Sequence, residues 1–332
     1  MSMNLTQEVG QVITQVIEQK SSVGGLKNVV WVAAGGSNGG NYPAQYFMEH
    51  EATALMSHSY TSNEFVRITP KFVGENTLAV VVSMRGTAET IEAARVAKQL
   101  GAATIAVYVD ESDLTQVCDY KIKYDSLAVD ESDMARTNSA VVPALAIELA
   151  DQTQGYAHYG EAMDAFDIID PIYRKAVAYC TPLAQEWAQL NADKPTINVM
   201  GSGPAFGAAY VFSICNVQEM LQIDSVTTNC CEFFHGPFEV LDKRTSVFLL
   251  MSEGRSRAND ERALTFLNTY GGKRVYVLDA KEIGIADLPA SVSEYFNHLI
   301  FSPILNNVYM RALSAVTHKD YMTRRYMWKV AY

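Results

Sequence analysis

Lysine and arginine never occur in a run longer than two residues in this 332-residue chain, and the net charge is −11. That argues against nucleic acid or an anionic membrane as the main partner and leaves a small molecule as the better candidate. No stretch approaches the ~20 consecutive apolar residues that span a bilayer. The first nineteen residues lack the basic start and continuous apolar core of a signal or transit peptide. Instead, Leu5, Val9, Val12, Ile13, Val16 and Ile17 share one helical face, with Glu8 and Glu18 outside it. A cytoplasmic protein is expected.

Cysteine is also scarce. The five residues Cys118, Cys180, Cys215, Cys230 and Cys231 form an odd set with no CxxC spacing and no histidine pair nearby, so neither a disulfide framework nor a zinc site is expected. Reduced thiols are. The vicinal Cys230-Cys231 pair has two readings, a redox couple or two small half-buried residues beside a loop, and the second asks for less. Low-complexity linkers are missing as well. With 48% hydrophobic and 19% charged residues, the chain fits two tightly packed domains of ordinary size.

What is present is a repeated pattern of apolar strand, Gly/Ser-rich turn and helix. Asn28–Ala34 runs into Gly35-Gly36-Ser37-Asn38-Gly39-Gly40 and a helix over Tyr42–Leu55, and Thr196–Met200 runs into Gly201-Ser202-Gly203-Pro204 and a helix over Ala205–Ile223. Each is followed by a second unit. Leu78–Val82 leads through Ser83-Met84-Arg85-Gly86-Thr87 to a helix ending at Leu100 and a strand Thr104–Val109. Ser246–Met251 leads through Ser252-Glu253-Gly254-Arg255 to a helix Asp260–Tyr270 and a strand Arg274–Leu278. Continuous Val/Ile/Leu strands alternating with helices predict parallel sheets covered on both faces. Between them, Met134–Leu190 reads as two long helices, the first carrying Pro143.

Ligands of such sheets sit beyond the carboxyl ends of the strands, where turn amides and helix N-termini converge. Ser37, Ser83 and Thr87 fall there and suit a phosphate monoester, although each alone also reads as a helix N-cap. Arg85 reads either as a cation for that anion or as a solvated loop residue. A dinucleotide site is disfavoured. Neither glycine loop has GxGxxG spacing, and no acidic residue ends the following strand. Glu219 stands out in the second half as the only charged residue between Lys194 and Asp224, sixteen positions before the histidine of Glu232-Phe-Phe-His235-Gly236-Pro237. An apolar setting would favour the neutral carboxyl, the condition that suits a general base near neutral pH, and His235 would be its proton-transfer partner. The other histidines, His50, His58, His158, His298 and His318, have no suggestive companion.

These residues resemble the SIS (sugar isomerase) family. The isomerase half of glucosamine-6-phosphate synthase shows the same Glu-to-His spacing and a GE-x-x-HGP motif, in which this chain has Cys231 in place of glycine; that enzyme's glutaminase domain has no counterpart here. The chain is similar over nearly its whole length to the fructosamino-acid 6-phosphate deglycases of Frl type, and in particular to the 6-phosphofructose-aspartate deglycases. The likeness includes Gly155-Tyr-Ala-His-Tyr159, Cys231–Glu239, Asp260-Glu-Arg-Ala263 and the tail Thr323-Arg-Arg-Tyr-Met-Trp-Lys-Val330.

The resemblance implies two tandem SIS-type, flavodoxin-like α/β/α sandwich domains, 1–165 with the sugar-phosphate site and 166–332 with the catalytic pair and the tail. It implies that Glu219 moves a proton between C1 and C2 of an open-chain sugar and that His235 assists from the neighbouring subunit of a homodimer. Gly36, Ser37, Ser83, Thr87 and Glu232 would bind substrate, with Arg85 in a loop one residue shorter than usual and Lys329 near the sugar. No metal or cofactor is expected. The activity implied is cleavage of a fructose-amino acid 6-phosphate to glucose 6-phosphate and an amino acid. An aldose–ketose phosphosugar isomerase is the alternative that uses the same base. A sugar-phosphate-binding regulator would normally add a DNA-binding segment, which is lacking, and a purely structural role leaves Glu219 and His235 without purpose. Arg85, Arg324 and Arg325 would suit an acidic leaving amino acid or a structural role.

Overall fold

A computed structural model describes residues 4–331. Met1–Met3 and Tyr332 lie outside the described residues. The chain divides into two compact units, Met1–Ile168 and Ile169–Tyr332.

The first unit is built on five parallel strands in the order β2-β1-β3-β4-β5, where β1 is Asn28–Ala33, β2 Met56–Thr61, β3 Thr77–Val82, β4 Ala103–Tyr108 and β5 Tyr120–Lys123. Every residue of β1, β3 and β4 is buried, which is why these segments read as unbroken apolar runs. The edge strand β2 is Met-Ser-His-Ser-Tyr-Thr and has no fully buried residue, so it carries no apolar signal. Around the sheet lie α1 (Leu5–Ser21), α2 (Gly35–Glu51), α3 (Ser62–Arg67), α4 (Ala88–Gln99), α5 (Asp113–Val117) and α6 (Asn138–Gln154). On α4 the residues Ala93, Ala94 and Ala97 face Val30, Val32, Ala79 and Val81, and their short side chains let the helix lie close to the sheet. The expected apolar face of α1 is buried at Leu5, Val9, Ile13 and Val16, with Val12 and Ile17 only half covered.

The unit boundary falls within α7 (Tyr159–Asn191). The second unit has four parallel strands in the order β7-β6-β8-β9, namely β6 Thr196–Gly201, β7 Asp224–Asn229, β8 Val247–Met251 and β9 Val275–Asp279. Its helices are α8 (Phe206–Val211), α9 (Arg257–Tyr270), α10 (Asn297–Ile304) and α11 (Arg311–Thr317). Trp187, Phe248 and Tyr309 form its aromatic centre, with ring centroids 5.0 to 5.7 Å apart in edge-to-face contact.

One expectation is corrected here. The single α-helix read over Ala205–Ile223 is a 3₁₀ turn at Gly203–Ala205, then α8, then a π-helical segment, Phe212–Met220. Two buried polar side chains fix the wider turn: Ser213 donates to Ser225 Oγ at 2.9 Å, and Asn216 donates to Asn306 Oδ1 at 2.7 Å. Asn306 itself belongs to a second π-helical segment, Leu305–Met310.

His298 on α10 is 1% exposed, and burial alone pushes its imidazole down from 6.5 to about 4. The native state therefore binds no proton there in a window where the unfolded chain does. Stability is complete above pH 6.5 and is lost as the pH falls toward 4, by on the order of 3 kcal/mol from this group. Urea unfolding followed from pH 7 to pH 4 should show that loss, and His298→Gln should flatten the slope across the same window.

Candidate functional site

In the first unit, β1 lies between β2 and β3, so the connections leaving β1 and β3 diverge to opposite faces and open a crevice between their carboxyl ends. Ala33 and Val82 are register partners, which brings Ala34–Ser37 and Ser83–Thr87 out side by side. Ala34 is the N-cap, and Gly35, at φ 57°, makes the left-handed turn that starts α2. The Gly/Ser segment read as a loop is thus the opening of the helix. Its later glycines serve packing: a Cβ on Gly40 would lie 2.6 Å from Asn138 Nδ2.

Gly36 and Ser37 therefore occupy the first turn of α2, where geometry leaves amide N–H groups without acceptors inside the helix. Ser37 lies close to Tyr124, a residue the sequence did not single out, and opposes the rise that burial imposes on its phenol. Ser83 is buried, and its Oγ accepts the N–H groups of Gly86 at 3.1 Å and Thr87 at 3.3 Å. These two bonds fix the turn and leave the Ser83 hydroxyl proton to donate. Thr87 precedes α4 but makes no side-chain cap; its hydroxyl pairs with Thr90 Oγ1 at 2.8 Å, and Thr90 pairs with Ser62 at 2.8 Å. Neither Ser37 nor Thr87 is consumed as a helix cap. Arg85 has a different partner from the anion that the sequence suggested: Asp110 accepts from its Nε at 3.1 Å, and both side chains are exposed.

The corresponding crevice of the second unit, between β6 and β8, is already filled by a carboxyl side chain. Ser252 follows β8 as Ser83 follows β3, and Ser256 precedes α9 as Thr87 precedes α4. Here, however, α9 supplies the fully buried Asp260, which accepts from Ser202 Oγ at 2.5 Å, Ser252 Oγ at 2.7 Å and Ser252 N at 3.0 Å. Burial raises this carboxyl above its ordinary range, against the opposing pull of Ser202, Ser252 and Cys230.

Glu219 lies near the end of the π-helical segment, a distortion that recurs at functional sites. The isolation read from the sequence is not what the structure has. The carboxyl-terminal tail brings Arg324 back, and its Nε donates to Glu219 Oε1 at 2.8 Å. Glu219 remains 24% exposed while Arg324 is 8% exposed, so the carboxylate keeps some access to solvent although its partner is buried.

His235 stands in the turn after β7, where its N–H bonds the Glu232 carbonyl at 2.9 Å and Gly236 has φ 131°. Phe233 is buried beneath this turn, and Arg262 covers the Phe234 ring at 4.0 Å. The imidazole of His235 and the carboxylate of Glu232 are left exposed. Lys329 is exposed on the tail beside Trp328, whose φ is 62°. The five cysteines form no disulfide; burial pushes the Cys230 and Cys231 thiols up, the opposite of an activated thiolate. Among the described residues no helix is long and apolar enough to cross a membrane.

No family model matches the chain. It is 33% identical over 309 residues to the fructosamine deglycase FrlB of Bacillus subtilis strain 168, spanning 92% of this chain and 93% of that protein. It is 22% identical over 288 residues to the fructoselysine 6-phosphate deglycase of Escherichia coli K12, spanning 84% and 83%. A crystal structure from Salmonella typhimurium LT2, provisionally assigned as a phosphosugar isomerase, superposes with a TM-score of 0.95 at 38% identity and spans 100% of this chain and 98% of that one.

Replacing Asp260 with alanine would leave the buried Ser252 N–H without its acceptor and the Ser202 and Ser252 hydroxyls with only their contacts to Ser256, at 3.4 and 3.0 Å, a cost of about 2–4 kcal/mol. Asp260→Asn keeps one acceptor oxygen and should cost about half as much. Urea midpoints of the two variants at neutral pH give this ranking directly, and equal midpoints for both and for the parent would refute it.

Proposed function

The chain belongs to the fructosamine deglycase family on the SIS fold, and on that premise we propose that it hydrolyses a fructose-amino acid 6-phosphate to glucose 6-phosphate and a free amino acid. What carries this reading over a plain aldose–ketose isomerase is the 33% identity to a fructosamine deglycase over 92% of the chain. The residues supply the parts the reaction requires. The first-turn amides of α2 at Gly36 and Ser37, together with the hydroxyls of Ser37, Ser83 and Thr87, would hold the 6-phosphate. A helix N-terminus and fixed hydroxyls suit that dianion without any buried cation.

Glu219 would remove the proton from C1 of the open ketosamine, giving an enaminol. Protonation at C2 then gives a C1 imine, to which water adds, and the amine leaves as the C1 aldehyde forms. One carboxylate and one imidazole can run these steps without a metal. His235 would open the ring and return protons, acting from the neighbouring subunit of a homodimer. Its exposed imidazole, held on a turn anchored by Phe233 and Phe234, supports that reading. Glu232 and Lys329 would contact the sugar. Arg85 is the less favoured phosphate ligand because Asp110 holds it, and it remains available to an acidic amino-acid moiety.

The test is release of glucose 6-phosphate and free amino acid from a panel of fructose-amino acid 6-phosphates, with fructose 6-phosphate as the control substrate. Both products appearing together are expected; turnover of fructose 6-phosphate alone would make the chain an isomerase. Glu219→Gln and His235→Ala should each lower kcat by on the order of 10²-fold or more. Ser83→Ala should act mainly on KM. Near-normal turnover in both acid–base variants would sink the assignment.

A further inference from the structure

Four residues of the tail expose most of their apolar side chains: Met322 at 71%, Tyr326 at 64%, Trp328 at 72% and Val330 at 52%. The one charged residue between Tyr321 and Thr323 on one side and Arg325 on the other, Arg324, is the buried one, at 8%. This inverts ordinary burial, so apolar packing does not account for the tail's course here.

The guanidinium has three fixed engagements. Nε donates to Glu219 Oε1 at 2.8 Å, Nη1 donates to the Tyr321 carbonyl at 2.5 Å, and the group lies 5.6 Å from the centre of the Trp328 ring. Around them the tail is tied to Gln222, two residues past the π-helical segment: Gln222, at φ 56°, donates from Nε2 to the Thr323 carbonyl at 3.2 Å and accepts from Lys319 Nζ on its own carbonyl at 3.2 Å.

We propose that Arg324 is a positioning residue for Glu219, fixing the plane of its carboxylate through Oε1 so that Oε2 is the oxygen that takes the substrate proton. This rests on the reading of Glu219 as the base. A glutamate side chain rotates freely about its last torsion, and a proton acceptor must be aligned with the breaking C–H bond; one charge-assisted hydrogen bond to a guanidinium that cannot itself move restricts that rotation. The bond uses a single nitrogen on a single oxygen, where a bidentate pairing would have occupied both oxygens. A pair built only for stability gains little from burying an arginine, because the cost of stripping water from the charge offsets the attraction.

The experiment compares Arg324→Ala, Arg324→Lys and Glu219→Gln, with the double variant Glu219→Gln/Arg324→Ala, on the substrate that wild type turns over. Arg324→Ala should lower kcat by about 10–10²-fold with KM changed less than about threefold, the size expected for a misaligned reacting group. Low-millimolar guanidinium should restore part of that kcat. Arg324→Lys, which keeps the charge without the planar fork, should fall between wild type and alanine. In the Glu219→Gln background the alanine change should add nothing, since the two residues act as one unit. Arg324→Ala turning over like wild type while Glu219→Gln is inactive would overturn this proposal alone. Losses that add in the double variant, or an Arg324→Ala defect confined to thermal stability and unmoved by guanidinium, would overturn it too. Glu219→Gln retaining turnover would instead remove the functional reading on which the proposal rests.

Discussion

Burial of β1, β3 and β4 on both faces is the constraint from which the rest of the first unit follows. A strand with no exposed residue can carry no chemistry along its length, so polarity is forced to its ends. Parallel pairing places all the carboxyl ends on one side, and the order β2-β1-β3 parts the connections at a single place. The same constraint explains the buried Ser83, whose hydroxyl accepts two turn amides at a position where water is excluded.

The second unit obeys the same rule but spends its strand-end serines internally. Asp260 takes the place that a bound anion would fill, and its hydrogen bonds join the turns after β6 and β8 to α9, with Cys230 beside it at the root of the turn bearing His235. A duplicated architecture thus yields one open crevice and one closed joint. The catalytic residues proposed here hang from the closed one, where a rigid support matters more than access.

How much of this was legible in the residues depended on distance along the chain. The strands β1, β3, β4, β6 and β8 announce themselves as apolar runs, and the two long helices after Met134 by their periodicity. β2 and β7, Met-Ser-His-Ser-Tyr-Thr and Asp-Ser-Val-Thr-Thr-Asn, do not, because an edge strand open to solvent has no need of a continuous apolar run. The crevice hydroxyls could be picked out by their place after strands, but not that Ser83 faces its own turn while Arg85 faces Asp110. The π-helical turn under Glu219 left no signal, since the buried partners that shape it, Ser225 and Asn306, are remote or polar residues of ordinary appearance. Asp260 was visible only as part of a motif, without its role.

Glu219 shows why local isolation in sequence is a poor guide to electrostatics. Its neighbours along the helix are uncharged, and from them an apolar setting follows; yet its counterion is Arg324, supplied by the far end of the chain. The two descriptions lead to different chemistry. An apolar pocket acts on a carboxylate through lost solvent, whereas a buried guanidinium acts on it through orientation. For the proton transfer proposed at Glu219, a carboxylate pinned through Oε1 offers alignment. If Glu219 is the base, as proposed, the tail belongs to its machinery, since that carboxylate has no other fixed partner among the described residues.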